Sequence, residues 1–128
     1  MLDSPIPIVE ILTQNFRNIK CQPKLVDISS FKEQKNSKHK ECYNNVFKAL
    51  TLNSNGIYVL GYVFIHNIPL EHAWFKEDGQ YFDVTFPPEK HQYISVIELS
   101  LNDIFPFVEK RMFAPTLYDW NNYLANPR

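Results

Sequence analysis

The order of elements along these 128 residues predicts a single α+β domain spanning 1–128. Helical periodicity marks both ends of the chain, and four β-rich runs lie together between Ile57 and Leu99. A further helical pattern, opening at Cys42, stands directly ahead of those runs.

From Ile8 to Ile19 the apolar residues Ile8, Val9, Ile11, Leu12, Phe16 and Ile19 recur at helical spacing, and Asp3 or Ser4 before Pro5 supplies a start signal. Between Lys20 and Glu41 the composition turns polar, and only Lys24 to Ile28 suggests a short extended segment. Cys42, Val46, Ala49 and Leu50 then fall at i, i+4, i+7 and i+8, which predicts a helix over Cys42 to Leu52 with Cys42 in its first turn. Asn53-Ser54-Asn55-Gly56 ends it. The runs Ile57 to His66, His72 to Lys76 and Tyr81 to Phe86 read as strands, the last two joined across Asp78-Gly79, a strong hairpin signal. Pro87 and Pro88 interrupt the sheet before a fourth strand at Tyr93 to Leu99. The tail reads as two helices. Leu101 to Phe113 is capped by Ser100 or Asn102 with Pro106 near its first turn, and Thr116 caps a run to Ala125 carrying Leu117, Trp120 and Leu124.

Composition narrows the function classes. An apolar fraction of 45% with ten Phe and seven Tyr excludes a disordered chain and favours a core of large rings. A net charge of -1 gives no general attraction for nucleic acid or anionic lipid. The basic stretch Lys32, Lys35, Lys38, His39 and Lys40 is interrupted by Glu33 and Glu41 and reads as a solvated loop. Met1 to Glu10 lacks the features of a signal peptide, and no segment approaches the roughly 20 apolar residues of a membrane span. A cytoplasmic protein is expected, with Cys21 and Cys42 as thiols.

Cys42, His72 and Asp83 occur in the order of a nucleophile, a base and an orienting carboxylate. A cysteine in the first turn of a helix meets unpaired backbone N–H groups and the positive end of the helix dipole, and both favour thiolate over thiol. If the Asp78-Gly79 connection is a two- or four-residue loop, Glu77 faces Gln80, Trp74 faces Asp83 and His72 faces Thr85. His72 and Asp83 then share one face as diagonal neighbours roughly 7 to 8 Å apart along the backbone, within reach of a side-chain hydrogen bond. A three-residue loop would put them on opposite faces. The bland readings are a buried apolar Cys42, a satisfied core or edge His72, and an Asp83 that bonds to a turn at a strand end.

Cys42 leading a helix, then Gly61-Tyr62-Val63, His72-Ala73-Trp74 and Asp83-Val84-Thr85, resembles the core of the transglutaminase-like branch of the papain-like cysteine hydrolase superfamily, small phage and bacterial members included. The resemblance covers about Glu41 to Phe86. It implies a nucleophile helix packed on an antiparallel sheet of about four strands, with the N- and C-terminal helices covering the rest. By that resemblance Cys42 would be the nucleophile, His72 the general base and then acid, Asp83 its orienter, and Trp74 a shield over their hydrogen bond. Val84 stands where such proteins usually carry proline. The Cys42 N–H would be one oxyanion donor, and Gln34, Asn36 and Tyr43 are candidates for a second.

Two function classes follow. The first is a cysteine-dependent acyl-transfer enzyme acting on a protein or peptide carboxamide without a cofactor, as a peptidase, a deamidase or a transglutaminase-type cross-linker. The second is a non-catalytic binding or inhibitor protein on the same scaffold, phage-encoded and host-directed in one form, with Phe113, Tyr118, Trp120 and Tyr123 as anchors. Metal binding is disfavoured, because Cys21, Cys42, His66, His72 and His91 lack the paired short spacings of zinc sites.

Overall fold

The computed structural model describes residues 4–31, 41–85, 88 and 91–127. Ten elements succeed one another: α1 (Ile6–Thr13), β1 (Lys24–Val26), β2 (Ile28–Phe31), α2 (Cys42–Leu52), β3 (Ile57–Ile65), β4 (Ile68–Glu77), β5 (Gln80–Asp83), β6 (Gln92–Ser100), α3 (Leu101–Arg111) and α4 (Leu117–Ala125). The α+β class and the bounds of α2 agree with the sequence. The sheet does not. It has six strands in the order β1-β6-β3-β4-β5-β2, and β2 runs parallel to β5, so it is mixed rather than four-stranded and antiparallel.

β1 falls in the short extended segment expected at Lys24 to Ile28, whereas β2 was not expected; both are short and half-exposed, so they carry little hydrophobic alternation. Their placement shapes the molecule. Val26 and Ile28 are separated by Asp27 alone, yet they belong to strands at opposite ends of the sheet order. Two residues of chain span at most about 7 Å, so the sheet curls until its edges come together. Val26, Ile28, Val59, Val63, Trp74, Tyr81 and Tyr93, drawn from all six strands, pack as one cluster in the hollow of that curl. The larger cluster lies outside it, where Val46, Ala49 and Leu50 of α2 meet Leu60, Phe75 and Leu99 of the sheet, with Ile104, Leu117 and Trp120 from the C-terminal helices.

Two tight hairpins set the register. His66 and Asn67 have φ of 52° and 63°, and Asp78 and Gly79 have φ of 52° and 79°, the positive pair that a type I′ turn requires. The second turn places Glu77 opposite Gln80, Lys76 opposite Tyr81 and Phe75 opposite Phe82, the two-residue-loop register derived from the sequence. The first turn extends β4 back to Ile68, through Pro69, where the sequence suggested a start at His72. Proline is tolerated there because β5 pairs with β4 only over Phe75 to Glu77. Gly61 faces His72 on β3, and a Cβ there would collide with the Ile94 carbonyl oxygen and lie 2.7 Å from the Trp74 ring. Only glycine lets the indole lie across β3.

The helices differ from expectation mainly at their ends. α1 begins after Pro5 without a side-chain cap and stops at Thr13, well short of Ile19. There the Thr13 hydroxyl donates back to the Val9 carbonyl at 2.8 Å, a local bond that competes with further helix. α3 ends at Arg111 because Met112 turns left-handed, and Pro106 lies within the helix. Ser100 with Asp103 and Thr116 with Asp119 form reciprocal capping boxes. Among the described residues no helix is long and apolar enough to cross a membrane.

Candidate active site

The β4–β5 ladder ends at Phe75 and Phe82, three residues short of His72. On that side His72 therefore meets side chains rather than a strand. Its Nε2–H donates to Asp83 Oδ2 at 2.8 Å, and the Cys42 thiol lies close enough to the ring to favour its protonated form. The Asp83 bond commits Nε2 to the carboxylate. Cys42 is the first residue of α2, and the side chain of the preceding Glu41 makes no capping bond. The first-turn N–H groups, that of Cys42 included, thus keep the orientation that favours an anion at this helix end.

Asp83 is fully buried and anchored from several directions. Besides His72, its Oδ2 accepts from the Tyr93 hydroxyl at 2.7 Å, and its Oδ1 accepts from the Thr85 backbone N–H at 2.9 Å. It stands at the end of β5 rather than within a strand, so it both bonds the following turn and orients the histidine. Burial alone would push its carboxyl up, yet the bonds from His72, Tyr93 and Thr85 hold it below the ordinary carboxylate value. Burial likewise pulls the imidazole down, but its bond to Asp83, the nearby Cys42 thiol and the charges of both raise His72 to about 9. At neutral pH the ring is then protonated. Burial pushes the Tyr93 phenol upward, as does the adjacent Asp83 charge, so Tyr93 remains a donor.

Trp74 is fully buried and lies nearly parallel to His72, with ring centres 6.0 Å apart. Tyr93 meets the indole edge-on at 5.1 Å. Two rings and a carboxylate therefore confine the imidazole inside the curled sheet. Among the described residues the Trp74 Nε1–H has no hydrogen-bond partner.

The first turn of α2 is bonded residue by residue to its surroundings. Cys42 contacts His72, and the Tyr43 hydroxyl donates to Glu71 Oε2 at 2.6 Å. Asn44 Oδ1 accepts from the Ala114 N–H at 3.2 Å, and Asn45 Nδ2 donates to Thr85 Oγ1 at 3.1 Å. The structure thus brings together Cys42, His72, Asp83 and Trp74. The Tyr43 proton is committed to Glu71 instead of an oxyanion position. Gln34, Asn36, the lysine run with His39, Phe86 and Pro87 lie outside the described residues. Cys42 is buried, whereas Cys21 is only partly buried, and burial pushes the Cys21 thiol upward.

Sequence reasoning missed Tyr93, Glu71 and Asn45. Tyr93 offered a weak signal as a polar-tipped residue at a strand start, but its partner lies ten residues away across a curl the sequence does not display. No family model matches this chain, and no curated protein or solved structure is significantly similar to it.

Proposed function

We propose that this chain is a cysteine-dependent acyl-transfer enzyme acting on a protein or peptide carboxamide, on a core of the transglutaminase-like and papain-like kind. One observation carries the reading: the His72 imidazole is hydrogen-bonded to the buried Asp83 carboxylate and lies beside the Cys42 thiol. The thiolate form of Cys42 attacks the carbonyl carbon, an S–C bond forms, and the carbonyl π pair moves to oxygen beside the Cys42 N–H. The oxyanion then collapses, the C–N bond breaks, and protonated His72 gives a proton to the departing amine, leaving a thioester. Water or a second amine attacks that thioester while His72 takes its proton back, and the thiolate leaves. Water makes the protein a peptidase or deamidase, and an amine makes it a cross-linking transferase.

The test is iodoacetamide alkylation of Cys42 as a function of pH, with Cys21→Ser present throughout, comparing intact protein with His72→Ala. Below pH 8 the rate is expected to fall about tenfold when His72 is removed, the scale on which a neighbouring base activates a thiol. Equal profiles in both proteins would rule out a working pair.

A second reading, a binding or inhibitor protein, has support on α3 and α4. Met112 is 84% exposed, Tyr118 64% and Phe113 43%, so large apolar groups face solvent at that corner. Trp120, expected among the anchors, is instead core: it is buried and stacks on Tyr123.

A further inference from the structure

Glu71 and His72 are neighbours on β4, and Tyr43 and Cys42 are neighbours on α2. The Tyr43 hydroxyl donates to Glu71 Oε2 at 2.6 Å, one residue along each element from the Cys42–His72 contact. The bond and the contact therefore join the same helix to the same strand at consecutive residues. The Glu71 oxygen also accepts from the backbone N–H of Leu117, the first residue of α4, at 3.0 Å. One carboxylate atom thus joins the nucleophile helix, the strand of the base and the start of the C-terminal helix.

His72 itself is fixed by Asp83 and Trp74 inside the curl, whereas Cys42 rides on a helix outside it. The separation of sulfur and imidazole depends on how α2 is seated against β4. A tyrosine phenol on a carboxylate is a short, charge-assisted bond with a defined direction, and helix dipole and carboxylate attract at the α4 end. Burial and the Glu71 charge push the Tyr43 phenol upward, so it stays protonated and remains a donor across the ordinary pH range.

We propose that Glu71 is a positioning residue: through Tyr43 it sets the seat of α2 on β4, and so the distance between the Cys42 sulfur and His72. This rests on Cys42 and His72 acting as a pair. Glu71 touches neither the sulfur nor any reacting atom; its effect passes through the helix.

The experiment is the pH profile of iodoacetamide alkylation in Cys21→Ser protein, with Glu71→Ala, Glu71→Gln, Tyr43→Phe and the Glu71→Ala/Tyr43→Phe double variant. Tyr43→Phe removes one hydroxyl and keeps the ring, so it reports on the brace even if Glu71→Ala folds poorly. Glu71→Ala and Tyr43→Phe are each expected to slow alkylation below pH 8 about tenfold, part of the hundredfold that an ångström-scale misplacement can cost. The double variant should be no slower than Glu71→Ala alone, since the Tyr43–Glu71 bond is already lost in that single variant, and Glu71→Gln, which keeps a carbonyl acceptor, should restore most of the rate. A parental profile that depends on His72 but is unchanged by Glu71→Ala and Tyr43→Phe would overturn the brace alone. A parental profile indifferent to His72→Ala would overturn the pair and the brace with it.

Discussion

Asp83→Ala is expected to destabilise the fold by about 3–5 kcal/mol, the cost of removing one partner from a buried ion pair, read as the shift in a urea unfolding midpoint at constant slope. The carboxylate is fully buried and accepts from His72, Tyr93 and Thr85. Alanine leaves a buried imidazole, a buried phenol and a backbone N–H without their acceptor, and each such orphan carries its own desolvation penalty. Asp83→Asn separates charge from shape. It keeps the volume and one carbonyl oxygen but offers that oxygen to only some of the three donors, so a smaller loss is expected, with the alkylation profile moved toward that of His72→Ala. Equal stability of Asp83→Ala and the parent would mean that the buried network contributes nothing to folding.

The same pair sets a pH dependence whose sign follows from linkage. The His72 imidazole is raised from 6.5 to about 9 in the folded chain, so between those values the folded state holds a proton that the unfolded state has released. The stabilisation is complete below pH 6.5 and is lost as the pH rises through 9, by up to about 3 kcal/mol. Asp83 works in the opposite sense. Its value is lowered from 3.8, so its contribution is present above that pH and fades as the pH falls through the folded value. Urea midpoints of the parent should therefore decline between pH 6.5 and 9, and the decline should be much smaller in Asp83→Asn, where the principal cause of the raised imidazole is gone.

How much of this could be read in advance depended on the range of the interaction. Asp78-Gly79 is a local signal, and with alternation along β4 and β5 it was enough to put His72 and Asp83 on one face in the observed register. The periodicity of Cys42, Val46, Ala49 and Leu50 likewise located α2 to the residue. Closure of the sheet was not legible. It depends on β1 and β2, seven residues in all with little buried surface, choosing opposite edges across Asp27. Pro69 hid the first half of β4 because proline argues against a central strand, and only the early departure of β5 makes it acceptable there. Tyr93 and Glu71 joined the site through that closure and through helix docking, which single-strand patterns do not encode.

Trp74→Ala is the second large effect, and its comparison with Trp74→Phe is more informative than either alone. The indole is fully buried, packs in the hollow of the sheet with Val59, Val63 and Tyr93, and crosses Gly61 so closely that any larger residue there would collide. Emptying that space is expected to cost about 3–5 kcal/mol, measured by urea unfolding. Phenylalanine loses part of the same contact but also removes the Nε1–H, which has no partner among the described residues and there carries an unmet desolvation penalty of about 1–3 kcal/mol. The two terms oppose each other, so Trp74→Phe should cost far less than Trp74→Ala. If so, stability alone does not require an indole at this position, and what the larger ring adds is coverage of His72, which it faces at 6.0 Å and nearly parallel. Trp74→Phe should then show its main deficit in the His72-dependent alkylation of Cys42, with the urea midpoint nearly unchanged. A Trp74→Phe protein as unstable as Trp74→Ala would instead assign the indole to packing.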